Sequence, residues 1–89
     1  MGYSLTIEEQ VSRSLSAMDE IRHDLFVVTM LDLVKDPHGR GEELRRTDTV
    51  VERILTLGSF GTILYAVDND HNKVIVIDVL WPGSPTQRP

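Results

Sequence analysis

Thr49–Leu57 (TVVERILTL), Phe60–Val67 (FGTILYAV) and Lys73–Leu80 (KVIVIDVL) decide the fold. Each run is rich in β-branched residues, which fit a pleated, half-buried surface. Gly58-Ser59 reads as a tight connection between the first two runs. Asp68-Asn69-Asp70-His71-Asn72 reads as a polar hairpin loop between the second and third. The three runs are therefore expected to form an antiparallel meander. In the last run, Val74, Val76, Asp78 and Leu80 alternate with Ile75, Ile77 and Val79. The second set is wholly apolar, and is expected to pack on helices.

Working back toward the N-terminus, the period changes. Tyr3, Leu5 and Ile7 share one face of a short first strand, although Thr6 is also placed to cap a helix that carries Glu8 and Glu9 in its first turn. Val11, Leu15 and Met18 follow at i, i+4 and i+7, the stripe of a first helix. Asp19 is placed to cap a second. That helix would present Ile21, Leu25, Val28 and Leu31, with Phe26, Met30, Leu33 and Val34 on the adjoining flank. So broad an apolar surface predicts that the second helix is the more buried. Asp36-Pro37 ends it, because the residue before proline avoids the α region, and residues 38–41 continue as loop. Trp81-Pro82-Gly83-Ser84-Pro85 stops the last strand. The fold class is α+β: one strand, a helical hairpin and a three-stranded meander, with helices on one face of the sheet. Residues 1–81 form one domain and 82–89 are expected to be a flexible tail.

The chain has 89 residues and a net charge of −5, with no cysteine. That length suits a single core. Without cysteine there is no disulfide and no thiolate zinc site. No apolar run approaches the ~20 residues of a membrane helix, and the N-terminus resembles no signal peptide, so a cytoplasmic protein is the default. Acidity argues against a broad nucleic-acid grip, which normally rests on clustered cations. Residues 1–34 hold six acids against Arg13 and Arg22. Residues 35–53 balance five acids with Lys35, Arg40, Arg45, Arg46 and Arg53. Any phosphate contact would fall on that middle segment. The bland alternative is a solvated loop in which Glu42, Glu43 and Asp48 neutralise the arginines.

Other motifs are weaker. Asp68-x-Asp70-x-Asn72 opens like a calcium loop, but that loop needs glycine at position six and glutamate at twelve, where this chain has Lys73 and Val79. His23, His38 and His71 lack ligand spacing, so neither metal nor cofactor is expected. His38, in a loop with arginines, is the histidine worth testing. The glycines make no phosphate loop.

The order of elements resembles the RelE/ParE toxins, and three stretches carry the likeness. Leu31–Leu44 is similar to the family's helix end, with Asp36-Pro37, then Gly41 and Leu44 in step. Leu57–Asp68 is similar to its glycine, tyrosine and aspartate strand, with Gly58, Tyr65 and Asp68 matching. Val74–Leu80 is similar to its last strand. The resemblance implies a compact toxin neutralised by a cognate antitoxin that wraps it. RelE-type members cleave ribosome-bound mRNA by 2′-hydroxyl attack on the adjacent phosphate, with basic side chains stabilising charge and moving protons. ParE-type members inhibit DNA gyrase.

Anchored on Tyr65, the family's cationic positions fall on Thr56, Thr62, Trp81 and Pro82. Threonine supplies neither a permanent charge nor a bidentate phosphate contact. Arg45, Arg46, Arg53, Tyr65 and His38 remain as candidates for a rearranged catalytic site, although Tyr65 is better explained as a core or sheet-face aromatic. The expectation is a toxin-like component acting mainly through protein binding, with the acidic, apolar helical pair and an exposed Trp81 as contact surfaces. The rivals are an mRNA endoribonuclease with a rearranged site, and an inactive domesticated relative. Ribosome, mRNA and gyrase remain open as targets, as does a homodimer.

Overall fold

The computed structural model describes residues 2–58 and 60–81; Ser59, Pro82 and the expected tail at 82–89 lie outside them. Its elements are β1 (Ser4–Ile7), α1 (Glu9–Ser16), α2 (Glu20–Leu33), a 3-10 turn (Pro37–Gly39), β2 (Glu42–Arg46), β3 (Val50–Leu57), β4 (Gly61–Asp68) and β5 (Lys73–Leu80). The expected α+β class and helical hairpin are present. The sheet has one strand more than the sequence suggested, in the order β1-β5-β4-β3-β2. β1 pairs in parallel with β5, and the remaining pairs are antiparallel. The arginine-bearing stretch read as loop thus contains an edge strand. Its five residues, EELRR, are all exposed, so no buried face reveals it in the sequence.

Two local readings change. Thr6 stays in β1 and Glu8 occupies the cap position of α1, so strand passes to helix with no room for a threonine cap. In β5 the buried residues are Val74, Val76 and Val79, whereas Ile75 and Ile77 are half-buried. A bulge explains this. Tyr65 pairs with Val76 and Leu64 with Asp78, so Ile77 is an extra residue that moves Val79 onto the helix side. Strict alternation had predicted Ile75, Ile77 and Val79 as the packed set.

The core lies between the sheet and the two helices, where Val11, Phe26, Met30 and Leu33 meet Ile63, Tyr65, Val67 and the three β5 valines. Asp19 caps α2 as expected, its Oδ1 accepting the Arg22 amide at 2.7 Å. The burial of α2 is the main departure. Ile21 is 84% exposed, Val28 62%, Leu31 61% and Leu25 45%; only Phe26, Met30 and Leu33 are buried. Apolar residues run most of the way round this helix, and a sheet on one side covers a single stripe. α2 is the less buried helix for its length.

Between the 3-10 turn and β2 the chain bends at Gly41, where φ is 64° and an added Cβ would lie 2.4 Å from the Ile54 carbonyl oxygen. A side chain is strained there by both backbone and space. Gly41→Ala is expected to destabilise the fold by at least ~1 kcal/mol, seen as a lower urea midpoint at unchanged m-value.

Candidate functional site

The sheet's two faces differ. On the helix side, Val51, Arg53, Leu55 and Leu57 of β3 align with Val67, Tyr65, Ile63 and Gly61 of β4. The opposite face carries Glu52, Ile54 and Thr56, aligned with Ala66, Leu64 and Thr62. β5 continues those rows with Ile75, Asp78 and Leu80. Adjacent strands lie about 4.8 Å apart, so Thr56, Thr62 and Leu80 form one row across three strands. Ile54, Leu64 and Asp78 form the next.

Of the four positions that the family resemblance makes cationic, two are therefore neighbours. Thr56 and Thr62 are direct cross-strand partners on the face away from the helices. Trp81 follows Leu80 but turns to the other side, because successive residues of a strand alternate. It is buried, with its Nε1 donating to Ser14 Oγ at 3.2 Å and the Arg22 guanidinium 5.5 Å from its ring centre. The exposed tryptophan expected from the sequence is instead a core anchor. Pro82 lies outside the described residues.

The remaining candidates do not converge. Arg45 pairs with Glu52 at 2.8 Å and Arg46 with Glu43 at 2.5 Å. By register, Arg45 aligns with the face away from the helices and Arg46 with the helix side. The Arg46 hydrogen bond holds the Glu43 carboxyl below its ordinary range. Arg40, the other arginine of the segment, pairs with Asp32 at 2.7 Å. His38 Nε2 is 2.8 Å from Asn69 Oδ1, and its ring meets Tyr3 edge-on. His71 sits against Asp68 at 2.9 Å, and that hydrogen bond keeps Asp68 more acidic than usual. Among the described residues no group of three or more His, Asp or Glu is placed to hold a metal ion. No helix there is long and apolar enough to cross a membrane.

Tyr65 and Arg53 work together on the loop before β2. The Tyr65 hydroxyl lies 2.9 Å from the Pro37 carbonyl and 2.8 Å from that of Arg40. Its single proton can serve one acceptor at a time. Arg53 Nε donates to the same Arg40 carbonyl at 2.9 Å, and its terminal nitrogen to that of Gly41 at 3.1 Å. Burial pushes the Tyr65 phenol up, against the opposing pull of Arg53 and Arg40. What the sequence did not reveal is the exposed α2 surface, since its residues had been assigned to the core. The signal was present: a helix apolar around most of its circumference exceeds what one sheet can cover.

Tyr65→Phe removes the donor to two loop carbonyls and is expected to cost ~1–3 kcal/mol. The folded phenol is raised above its ordinary value of 10.0. Its contribution is complete below pH 10 and is lost as pH rises through the folded value. Urea midpoints measured across the alkaline range are expected to fall more steeply in the wild type than in Tyr65→Phe.

Comparison with known proteins adds an independent view of the architecture. No family model matches the chain, and no curated protein matches it. Solved structures do. The archaeal RelE–RelB complex from Pyrococcus horikoshii OT3 contains a chain with TM-score 0.82 and 20% identity, the match covering 93% of this chain and 98% of that one. The RelBE2 toxin–antitoxin complex of Mycobacterium tuberculosis gives 0.76 at 21% identity, covering 92% and 100%. The isolated Escherichia coli RelE toxin gives 0.72 at 17% identity, covering 98% and 87%. At these identities the likeness speaks for the fold. This chain has the RelE fold.

Proposed function

We propose that the chain is the toxin-like component of a toxin–antitoxin pair, and that it acts by binding protein surfaces rather than by cleaving RNA. The observation that carries this reading is the composition of the sheet face at Thr56, Thr62 and Leu80. A phosphate-cleaving site needs preorganised cations or strong donors around the developing charge, and loss of one such donor typically costs ~10²–10³ in rate. Here two threonines and a leucine line the row, and Asp78 stands in the next one beside Leu64. A carboxylate there repels a phosphate.

The arginines nearest in sequence are engaged elsewhere: Arg45 and Arg46 with carboxylates, Arg53 with loop carbonyls. Protein binding has a matching surface in the exposed α2 residues Ile21, Leu25, Val28 and Leu31. Contiguous apolar exposure of this kind marks an interaction site. The neighbours from Pyrococcus horikoshii and Mycobacterium tuberculosis occur in RelE–RelB and RelBE2 complexes. By that analogy the partner here is a cognate antitoxin, and the cellular target is a protein surface.

Induced expression is expected to arrest growth, with co-expression of the small gene adjacent to this one relieving it. Arg45→Ala/Arg46→Ala, at two exposed positions, is expected to arrest growth as strongly as the wild type. Loss of arrest in that folded double variant would favour a rearranged ribonuclease site. Growth unaffected by the soluble wild-type chain would favour an inactive relative.

A further inference from the structure

α2 turns opposite sides to the core and to solvent. Phe26, Met30 and Leu33 are buried against the sheet. With about 3.6 residues per turn, Ile21, Leu25, Val28 and Leu31 share roughly a third of the circumference on the other side. All four are exposed, Ile21 most of all. At those exposures they present roughly 400 Å² of apolar surface, a patch of the size that in a monomer usually has a function.

The charges along this seam are sorted by end. Glu20 and Asp24 stand at its N-terminal end and Lys35 just past its C-terminal end, and all three are exposed. Among the described residues none of the three has an ion-pair partner. Their neighbours do: Asp19 has Arg22 and Asp32 has Arg40. Like charges four residues apart on a helix repel, so Glu20 and Asp24 together lack a cation. A seam acidic at one end and basic at the other is complementary to its own reversed copy.

We infer that this seam binds the same seam of a second copy of the chain, the two α2 helices lying antiparallel about a two-fold axis beside Val28. Such a contact is isologous, so every pairing occurs twice. Centred on Val28, it sets Leu25 against Leu31 of the second copy. Ile21 then faces Lys35 of the second copy, whose ammonium is placed between Glu20 and Asp24. Asp24 meets Asp32 of the second copy, which its own Arg40 already neutralises. Reversal also aligns the two helix dipoles favourably. The net charge of −5 opposes self-association. Glu20 and Asp24 against Lys35 put only −1 of it on the seam, and charges beyond about 8 Å are largely screened at physiological salt. Two such patches with their charged rims approach the ~1,000 Å² of a specific interface. The inference does not depend on the toxin reading, and a protein that docks on α2 would compete with the second copy.

The test is sedimentation velocity on the purified full chain over a range of concentrations, with engineered cysteines to fix the geometry. The wild type is expected to form a concentration-dependent dimer. Val28→Glu/Leu31→Glu should be a monomer with wild-type circular dichroism, since both side chains are exposed. Lys35→Glu should weaken the dimer at least tenfold, and adding Glu20→Lys and Asp24→Lys should restore it. The chain has no cysteine of its own. Val28→Cys should therefore cross-link to itself under mild oxidation, whereas Ile21→Cys should cross-link only with Lys35→Cys. Three results would overturn the proposal: a wild type that is monomeric throughout, a dimer indifferent to these substitutions, or Ile21→Cys cross-linking to itself as readily as Val28→Cys. A monomer that takes up a co-expressed protein along α2 would also overturn it, assigning the seam to that partner. A dimer in a chain that fails to arrest growth would defeat the toxin reading alone.

Discussion

The carbonyl of Arg40 is the point on which the functional surfaces turn. It sits opposite both the buried Tyr65 hydroxyl and the Arg53 guanidinium, two groups that are themselves cross-strand partners. Holding that one peptide fixes where the chain crosses from α2 to the sheet. The Arg40 side chain then reaches back to Asp32 near the end of α2. Gly41 must follow in a left-handed conformation, β2 must begin late, and among the described residues the far end of β3 has β4 on one side and no strand on the other. The Tyr65 hydroxyl also meets the Pro37 carbonyl in a buried contact, and a buried carbonyl left unmet costs more than the bond itself contributes.

Seen from that constraint, Tyr65 and Arg53 have structural work that accounts for both. Each is committed to the loop on the helix side of the sheet, while Thr56 and Thr62 lie on the opposite side. The face that carries Thr56 and Thr62 and the face where Arg53 is spent are thus different faces of the same strands. Exposed apolar area is concentrated on α2, which an acidic, otherwise unremarkable small domain has no structural reason to leave uncovered. Burying that area against a partner would gain on the order of 25 cal/mol per Å².

Much of this was legible in the sequence because period and punctuation agreed. The three long strands announced themselves by β-branched runs between turn residues, and Asp19 and Asp36-Pro37 marked the limits of α2. Three features were not legible, each for a physical reason. β2 has five exposed residues and hence no hydrophobic alternation. The bulge at Ile77 in β5 exchanges the two faces partway along a strand, and apolar residues on both faces hide the exchange. The α2 stripe was assigned to the core because sequence reports hydrophobicity and not the area available to cover it. The same rule of alternation turned Trp81 inward one residue after Leu80. For the candidate site, the positions of Thr56 and Thr62 were readable, but their being direct partners required the register.

The central claim is that a RelE fold is here used for binding and not for phosphate chemistry. Its most direct test is a reconstituted translation reaction programmed with a defined mRNA, with the purified chain added in excess over ribosomes. Primer extension on that mRNA should show the same pattern with and without the protein, even if protein synthesis stops. New, ribosome-dependent 3′ ends at codon positions would contradict the account.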